Sequence, residues 1–144
     1  MFGTQRFDSR VRRLLDELGY KYEIDKDGDF KLTMNLGDGR SQVGFINSKT
    51  STFGGLEIRD IFSLAYVLDG PPTEKIANFL LRDNAVVKMG AWRITGGADG
   101  GRCGLVFAAN LAADCDAHTF NTVWEFVLRK ADTFEKEIFQ TDKY

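Results

Sequence analysis

The chain is short of the residues that most site chemistry needs. Its 144 residues include one histidine and two cysteines. A closed zinc site takes four nitrogen or sulfur ligands, and His118, Cys103 and Cys115 cannot supply them. A general base needs one neighbour to activate and another to orient it, and the sequence nominates neither for His118. Cys115 stands just before His118, yet the local signatures of cysteine hydrolases are missing. No catalytic residue, no metal site and no cofactor is therefore expected. Two cysteines in a domain of this size do not amount to a secreted disulfide framework. A bridge between them is possible in principle, but both read as buried or near-surface thiols.

Other shortages bound the architecture. The only prolines are the adjacent Pro71 and Pro72, and no repeat, low-complexity segment or Ser/Pro-rich linker divides the chain, so residues 1–144 read as one domain. No run of 18 apolar residues could cross a membrane as a helix. Met1–Arg6 carries no apolar signal-like run, so a cytoplasmic location is expected. The net charge of −2 and pI near 5.4 give no electrostatic footprint for nucleic acid. The one basic cluster, Arg6, Arg10, Arg12 and Arg13, reads as a solvated helix face.

What the chain has in quantity is phenylalanine, twelve of them, enough for a core plus an interface. A first helix is expected over Ser9–Leu18, with Val11, Leu14, Leu15 and Leu18 on one stripe, Asp8 or Ser9 as cap and Gly19 just past its end. Alternation then marks strands over Tyr20–Ile24, Phe30–Leu36 and Arg40–Asn47, with turns at Asp27-Gly28 and Gly37-Asp38-Gly39. Ser48–Gly55 reads as loop. Leu56–Leu68 fits both a strand and a helical stripe. Its Ile, Phe, Tyr and Val content favours strand, with an irregularity near Asp60. Thr73 caps a short helix ending at Asn84, whose left-handed conformation would close it. Strands Val86–Ile94 and Cys103–Leu111 flank the glycine loop Gly96–Gly101. Asp116 caps a last helix running to about Phe139, with Phe120, Trp124, Val127, Ala131, Phe134 and Ile138 on its stripe and Val123 and Leu128 widening it. The order is α-β-β-β-β-α-β-β-α, an α+β layer fold with an antiparallel sheet flanked by helices.

Two motifs invite a ligand and fail. Asp25-Lys26-Asp27-Gly28-Asp29 glances at a calcium loop, but the glycine and the closing glutamate are out of place. Gly96–Gly101 is followed by a strand, whereas phosphate-binding glycines precede a helix.

Leu80-Leu81-Arg82-Asp83-Asn84, Gly90-Ala91-Trp92-Arg93-Ile94 and Asp38-Gly39-Arg40-Ser41-Gln42-Val43, in this order of elements, resemble the type III secretion chaperone-like fold. More closely, the chain resembles the bacterial YbjN-like family, labelled as sensory transduction regulators. The resemblance covers nearly the whole chain and rests on diffuse structural motifs. It implies a non-enzymatic protein, often a homodimer. The secretion chaperones hold an extended segment of a protein partner against apolar grooves. No catalytic residues come with the family.

The expected activity is therefore non-catalytic binding of a protein or peptide partner, chaperone-like or regulatory, by addition to a sheet edge or in an apolar groove. The candidate contacts are Phe53 in the polar loop, Phe62, Tyr66, and Phe126 and Phe139, which lie beyond the last helix's central stripe. The alternative is a small-ligand sensor with a pocket between the sheet and the last helix, anchored by Arg40, Arg59 or Trp92.

Overall fold

A computed structural model describes residues 6–144. Its elements are α1 (Ser9–Leu18), β1 (Glu23–Ile24), β2 (Phe30–Gly37), β3 (Arg40–Ile46), β4 (Ser51–Phe53), β5 (Leu56–Leu68), α2 (Glu74–Val86), β6 (Ala91–Gly96), β7 (Cys103–Ala112) and α3 (Ala117–Phe134), closed by a π-helical turn (Glu135–Phe139). The strands form one antiparallel sheet in the order β1-β2-β3-β5-β7-β6, with β4 paired on the start of β5. This is the expected α+β fold, an antiparallel sheet flanked by helices. No described helix is long and apolar enough to cross a membrane.

One face of the sheet and the three helices share a single core. Phe30, Leu32, Ile46, Ile61, Leu105 and Phe107 line it from the sheet, and Val11, Leu15, Leu80, Phe120, Trp124 and Leu128 from the helices. The caps fall where the sequence places them. Asp8 accepts from Arg10 N, Thr73 from Ile76 N, and Asp116 from Thr119 N, each satisfying a first-turn N–H that has no partner within its helix. Gly44 of β3 lets α3 approach closely: a Cβ there would lie 2.4 Å from Trp124 Cη2 and 2.8 Å from Leu128 Cδ2.

Five local expectations change. The strand expected over Tyr20–Ile24 shrinks to Glu23–Ile24. Its two tyrosines turn away: the Tyr20 hydroxyl donates to Asn121 of α3, and Tyr22 donates to Asp16 of α1. The loop Ser48–Gly55 contains β4, because Gly54 and Gly55 both take positive φ (+55° and +84°), the two-residue hairpin geometry that needs glycine. The irregularity in β5 falls at Ala65, between Leu64 and Tyr66, and not near Asp60. α2 runs on to Val86, and β6 begins only at Ala91. Asn84 is helical, and its amide grips the edge of β6: Trp92 N–H donates to Asn84 Oδ1 (2.6 Å) and Asn84 Nδ2 donates to Trp92 O (3.2 Å). Finally, the π turn inserts an extra residue per turn, which rotates the stripe. Ile138 becomes 45% exposed, Phe139 swings onto Tyr66, and Glu135 is carried fully inside.

Candidate functional site

The sheet has two faces and the helices cover one. With Gly44 pointing at α3, the alternation of β3 places Gln42, Gly44 and Ile46 inward and Val43 and Phe45 outward. That inverts the usual pattern, in which the solvent face is the polar one. The outward side of β5 and β7 also carries apolar residues, although Ile61, Leu105 and Phe107 still fill the inner side. Phe45 pairs with Phe62 of β5, Phe62 with Ala108 of β7, and Leu64 with Val106. The Phe45 and Phe62 rings stack at 5.1 Å and 18°, and both are half-buried with no helix above them among the described residues.

The flanks are polar. Lys31 and Thr33 of β2 stand beside Phe45 and Val43. On the other side Arg93 of β6 donates to Asn110 Oδ1 (3.1 Å) and Asp60 Oδ2 (3.4 Å), and Asn110 also bonds Asp60. An apolar centre rimmed by polar groups is the form of a protein contact surface.

The candidate aromatic residues do not converge. Phe62 lies on this face. Phe53, 74% exposed, pairs with Leu56, 64% exposed, at the tip of the β4–β5 hairpin. Phe126 packs edge-on to Phe107 (5.7 Å) and lines a groove of about 690 Å³ with Val86, Met89 and Val123. Tyr66 and Phe139 stack on each other at 3.7 Å and 3°. Phe45, the partner of Phe62, escaped the sequence reading, because alternation by apolar content alone would place it in the core, whereas the fold turns Gln42 and Gly44 inward.

The three proposed ligand anchors are engaged within the fold. Arg59, 3% exposed, donates to Asp8 Oδ2 (2.6 Å), Asn47 O (2.7 Å) and Ser48 O (3.0 Å). Arg40 donates to Asp132 Oδ1 (2.9 Å) and Thr141 O (2.8 Å). Trp92 Nε1 donates to Asp83 Oδ2 (2.7 Å). The space between sheet and α3 is filled by Phe120, Trp124, Val127 and Leu128.

Charges elsewhere serve the fold. Asp8 is held far below the usual carboxylate range, first by its hydrogen bond to Arg10 and then by Arg59, against the opposing effect of burial. Arg10 also bonds Glu57 (2.8 Å), whose carboxyl is lowered to about 2 by Arg10 and Thr50. Burial pushes the Asp83 carboxyl up, but hydrogen bonds from Lys130 and Trp92 outweigh it and hold the group below its ordinary value. Burial raises the Cys115 thiol, with the Asp116 carboxylate adding to the effect, which is the reverse of an activated nucleophile. Both cysteines are free, Cys103 buried and Cys115 half-buried. Asp132, Glu135 and Asp142 come within 4.8 Å of one another, and the cation among them is the Arg40 guanidinium.

No protein-family model matches the chain and no curated protein matches it. Among solved structures, the crystal structure of YbjN from E. coli, described as a putative transcription regulator, superposes with a TM-score of 0.56. It is 15% identical, and the match covers 90% of each chain. At that identity the likeness is one of fold.

Proposed function

We propose that this chain is a non-catalytic interaction domain of chaperone-like or regulatory type, working in the cytoplasm as a homodimer and binding a protein or peptide partner. The observation that carries the reading is the helix-free sheet face, where Val43, Phe45, Phe62 and Leu64 point away from the helices while the inward positions of β3 hold Gln42 and Gly44 beside Ile46. The part of this apolar set that folding leaves exposed gains further free energy when something covers it. The regulator description given to YbjN, which shares the fold, supports the same class of role. Of the earlier candidates, Phe62 belongs to this face and Phe53 to the neighbouring hairpin tip. Tyr66, Phe126 and Phe139 would serve separate contacts.

The test is a pair of outward substitutions, Phe45→Lys and Phe62→Lys. Tagged wild-type protein purified from its own cells is expected to bring down a stoichiometric partner and to scatter light as a dimer at micromolar concentration. Both variants are expected to keep their circular dichroism and lose the partner. Retention of every partner and of the dimer by both folded variants would sink the assignment of this face.

A small-ligand reading has one specific support, the apolar groove lined by Val86, Met89 and Phe126 with the Asp83–Lys130 ion pair (2.6 Å) in its wall. A thermal-shift screen of metabolites, wild type against Phe126→Ser, decides it: no hit that depends on Phe126 removes this reading.

A further inference from the structure

β3 and β5 pair only from Gly44↔Ser63 to Ile46↔Ile61, and beyond Gly44 they part. The fully buried Gln42 spans the gap, donating from Nε2 to Ser63 Oγ and Leu64 O, both at 2.8 Å. Ser63 Oγ in turn donates to Val43 O (2.7 Å).

Residues Thr141–Tyr144 enter this cleft. Val43 N–H, freed from β5, donates to Tyr144 O (3.2 Å). Thr141 O accepts from Arg40, while Thr141 Oγ1 and Lys143 N donate to Glu135 Oε2, both at 2.6 Å. The Tyr144 ring stands edge-on to Tyr66 (5.7 Å, 75°), which is backed by Phe139. A main-chain bond to a strand, side-chain grips on the backbone and an aromatic seat are the elements by which a sheet receives an extended peptide.

The fit has identifiable defects. Asp142 brings a third carboxylate beside Asp132 and Glu135, with Arg40 the one guanidinium among them in the described residues. Gln42 Oε1 and Glu135 Oε1 are buried with no hydrogen-bond partner among the described residues, which is costly for any occupant that leaves them so. Gln140, which leads into the segment, sits at φ +56°, ψ +39°, a conformation disfavoured for a residue with a Cβ. Releasing the segment relieves that hinge and the carboxylate crowding.

We propose that the β3–β5 cleft is a peptide-binding site, that Thr141–Tyr144 are its internal and displaceable occupant, and that its partner is an extended segment of another protein with an aromatic residue at the Tyr144 position and an uncharged amide or basic residue at the Asp142 position. A second copy of this chain would bring the same crowded carboxylate, and would compete with a segment held at high effective concentration in its own chain. The proposal rests on the protein-interaction reading above but on a different surface from the Phe45–Phe62 face.

The experiment is fluorescence anisotropy with two labelled hexapeptides, one copying Phe139–Tyr144 and one carrying Asp142→Asn. They are titrated into the wild-type protein and the full-length double variant Thr141→Ala/Tyr144→Ala, whose internal occupant is weakened. The Asn peptide is expected to bind the double variant about tenfold more tightly than wild type, a difference of about 1.4 kcal/mol. It is also expected to bind more tightly than the Asp copy, and to shift the amide resonance of Val43. Absence of binding to the folded double variant, or equal binding to both proteins, overturns the cleft as a peptide site. Preference for the Asp copy together with a concentration-dependent rise in mass would assign the cleft to a second copy and overturn the partner. Either failure leaves partner capture by Phe45 and Phe62 as a separate readout, so the cleft and the interaction reading fall independently.

Discussion

Gly44→Ala tests the layered arrangement with one added carbon. A glycine inside a strand normally costs about 0.5–1 kcal/mol relative to alanine, so with open space on the inner side of β3 the change would stabilise. Here the new Cβ would sit 2.4 Å and 2.9 Å from two atoms of the Trp124 ring and 2.8 Å from Leu128 Cδ2. Both side chains are fully buried and cannot swing away. Overpacking of this kind costs about 1–3 kcal/mol. The net expectation is a loss of about 1–2 kcal/mol, or a Tm lower by roughly 3–8 °C for a domain near this size. Gly70→Ala is the control. Beyond its two chain neighbours no heavy atom of the described residues lies within 4 Å of its added Cβ, and its φ is outside the left-handed region, so it should be neutral or stabilise by about 0.4–1 kcal/mol. The assay is urea unfolding followed by tryptophan fluorescence, comparing midpoints at constant m. Gly44→Ala matching Gly70→Ala in stability would refute the seating of Trp124 on β3, and with it the assignment of Val43 and Phe45 to the open face.

Asn84→Ala removes both side-chain bonds that cover the outer edge of β6 at Trp92. It should cost about 1–2 kcal/mol by urea denaturation, since the Trp92 N–H loses its acceptor; Asn84→Asp keeps that acceptor and should cost less, and equal losses would contradict the two-bond account. The carboxyl of Glu57 is lowered from 4.5 to about 2 in the fold, chiefly by Arg10. A depressed folded value means the stabilisation is fully present above pH 4.5 and is lost as pH falls from there toward 2. Asp8 shifts in the same direction, so Arg10→Met should flatten the dependence of the urea midpoint on pH across that window; an unchanged slope would show that the ion pairs of Arg10 carry no acid sensitivity.

The parts of this fold that the sequence announces are those set by near neighbours. The spacing of Phe120, Trp124, Val127, Ala131 and Phe134 marks α3, and Asp8, Thr73 and Asp116 mark helix starts, because caps and stripes act within one or two turns. Period-two patterns likewise mark β2, β3 and β5. What escapes the sequence depends on residues far apart. The π turn matters because it brings Glu135 under Thr141 and Phe139 onto Tyr66. Arg40 meets Asp132 and Thr141 roughly a hundred positions along the chain. Asn84 looks like a helix terminator, yet its amide closes a strand edge, a role fixed by where α2 lies against β6. Phe53, Phe62, Tyr66, Phe126 and Phe139 were legible as aromatic excess. Their distribution over several surfaces was not, because hydrophobicity counts rings without telling which face of a strand they stand on.

β3 shows why that last distinction governs the functional reading. In a sheet covered on one side, alternation assigns the more apolar set inward by default. Read so, Arg40–Ile46 would bury Val43 and Phe45 and expose Gln42 and Gly44. The fold does the opposite, since Gly44 must face Trp124 for α3 to approach and Gln42 must reach Ser63 and Leu64 O across the opened cleft. A one-residue slip would place Phe45 in the core, but it would drive a ring into the space that Trp124 occupies. The inner face is thus specified by a small residue and a hydrogen-bonded amide, and the outer apolar residues are not needed to set the register. Phe45 and Phe62 contribute a stacked pair worth about 0.5–1.5 kcal/mol on the side of the sheet away from α3. The apolar set running across β3, β5 and β7 on the helix-free side is what the proposed partner contact rests on, and Phe45→Lys and Phe62→Lys test it.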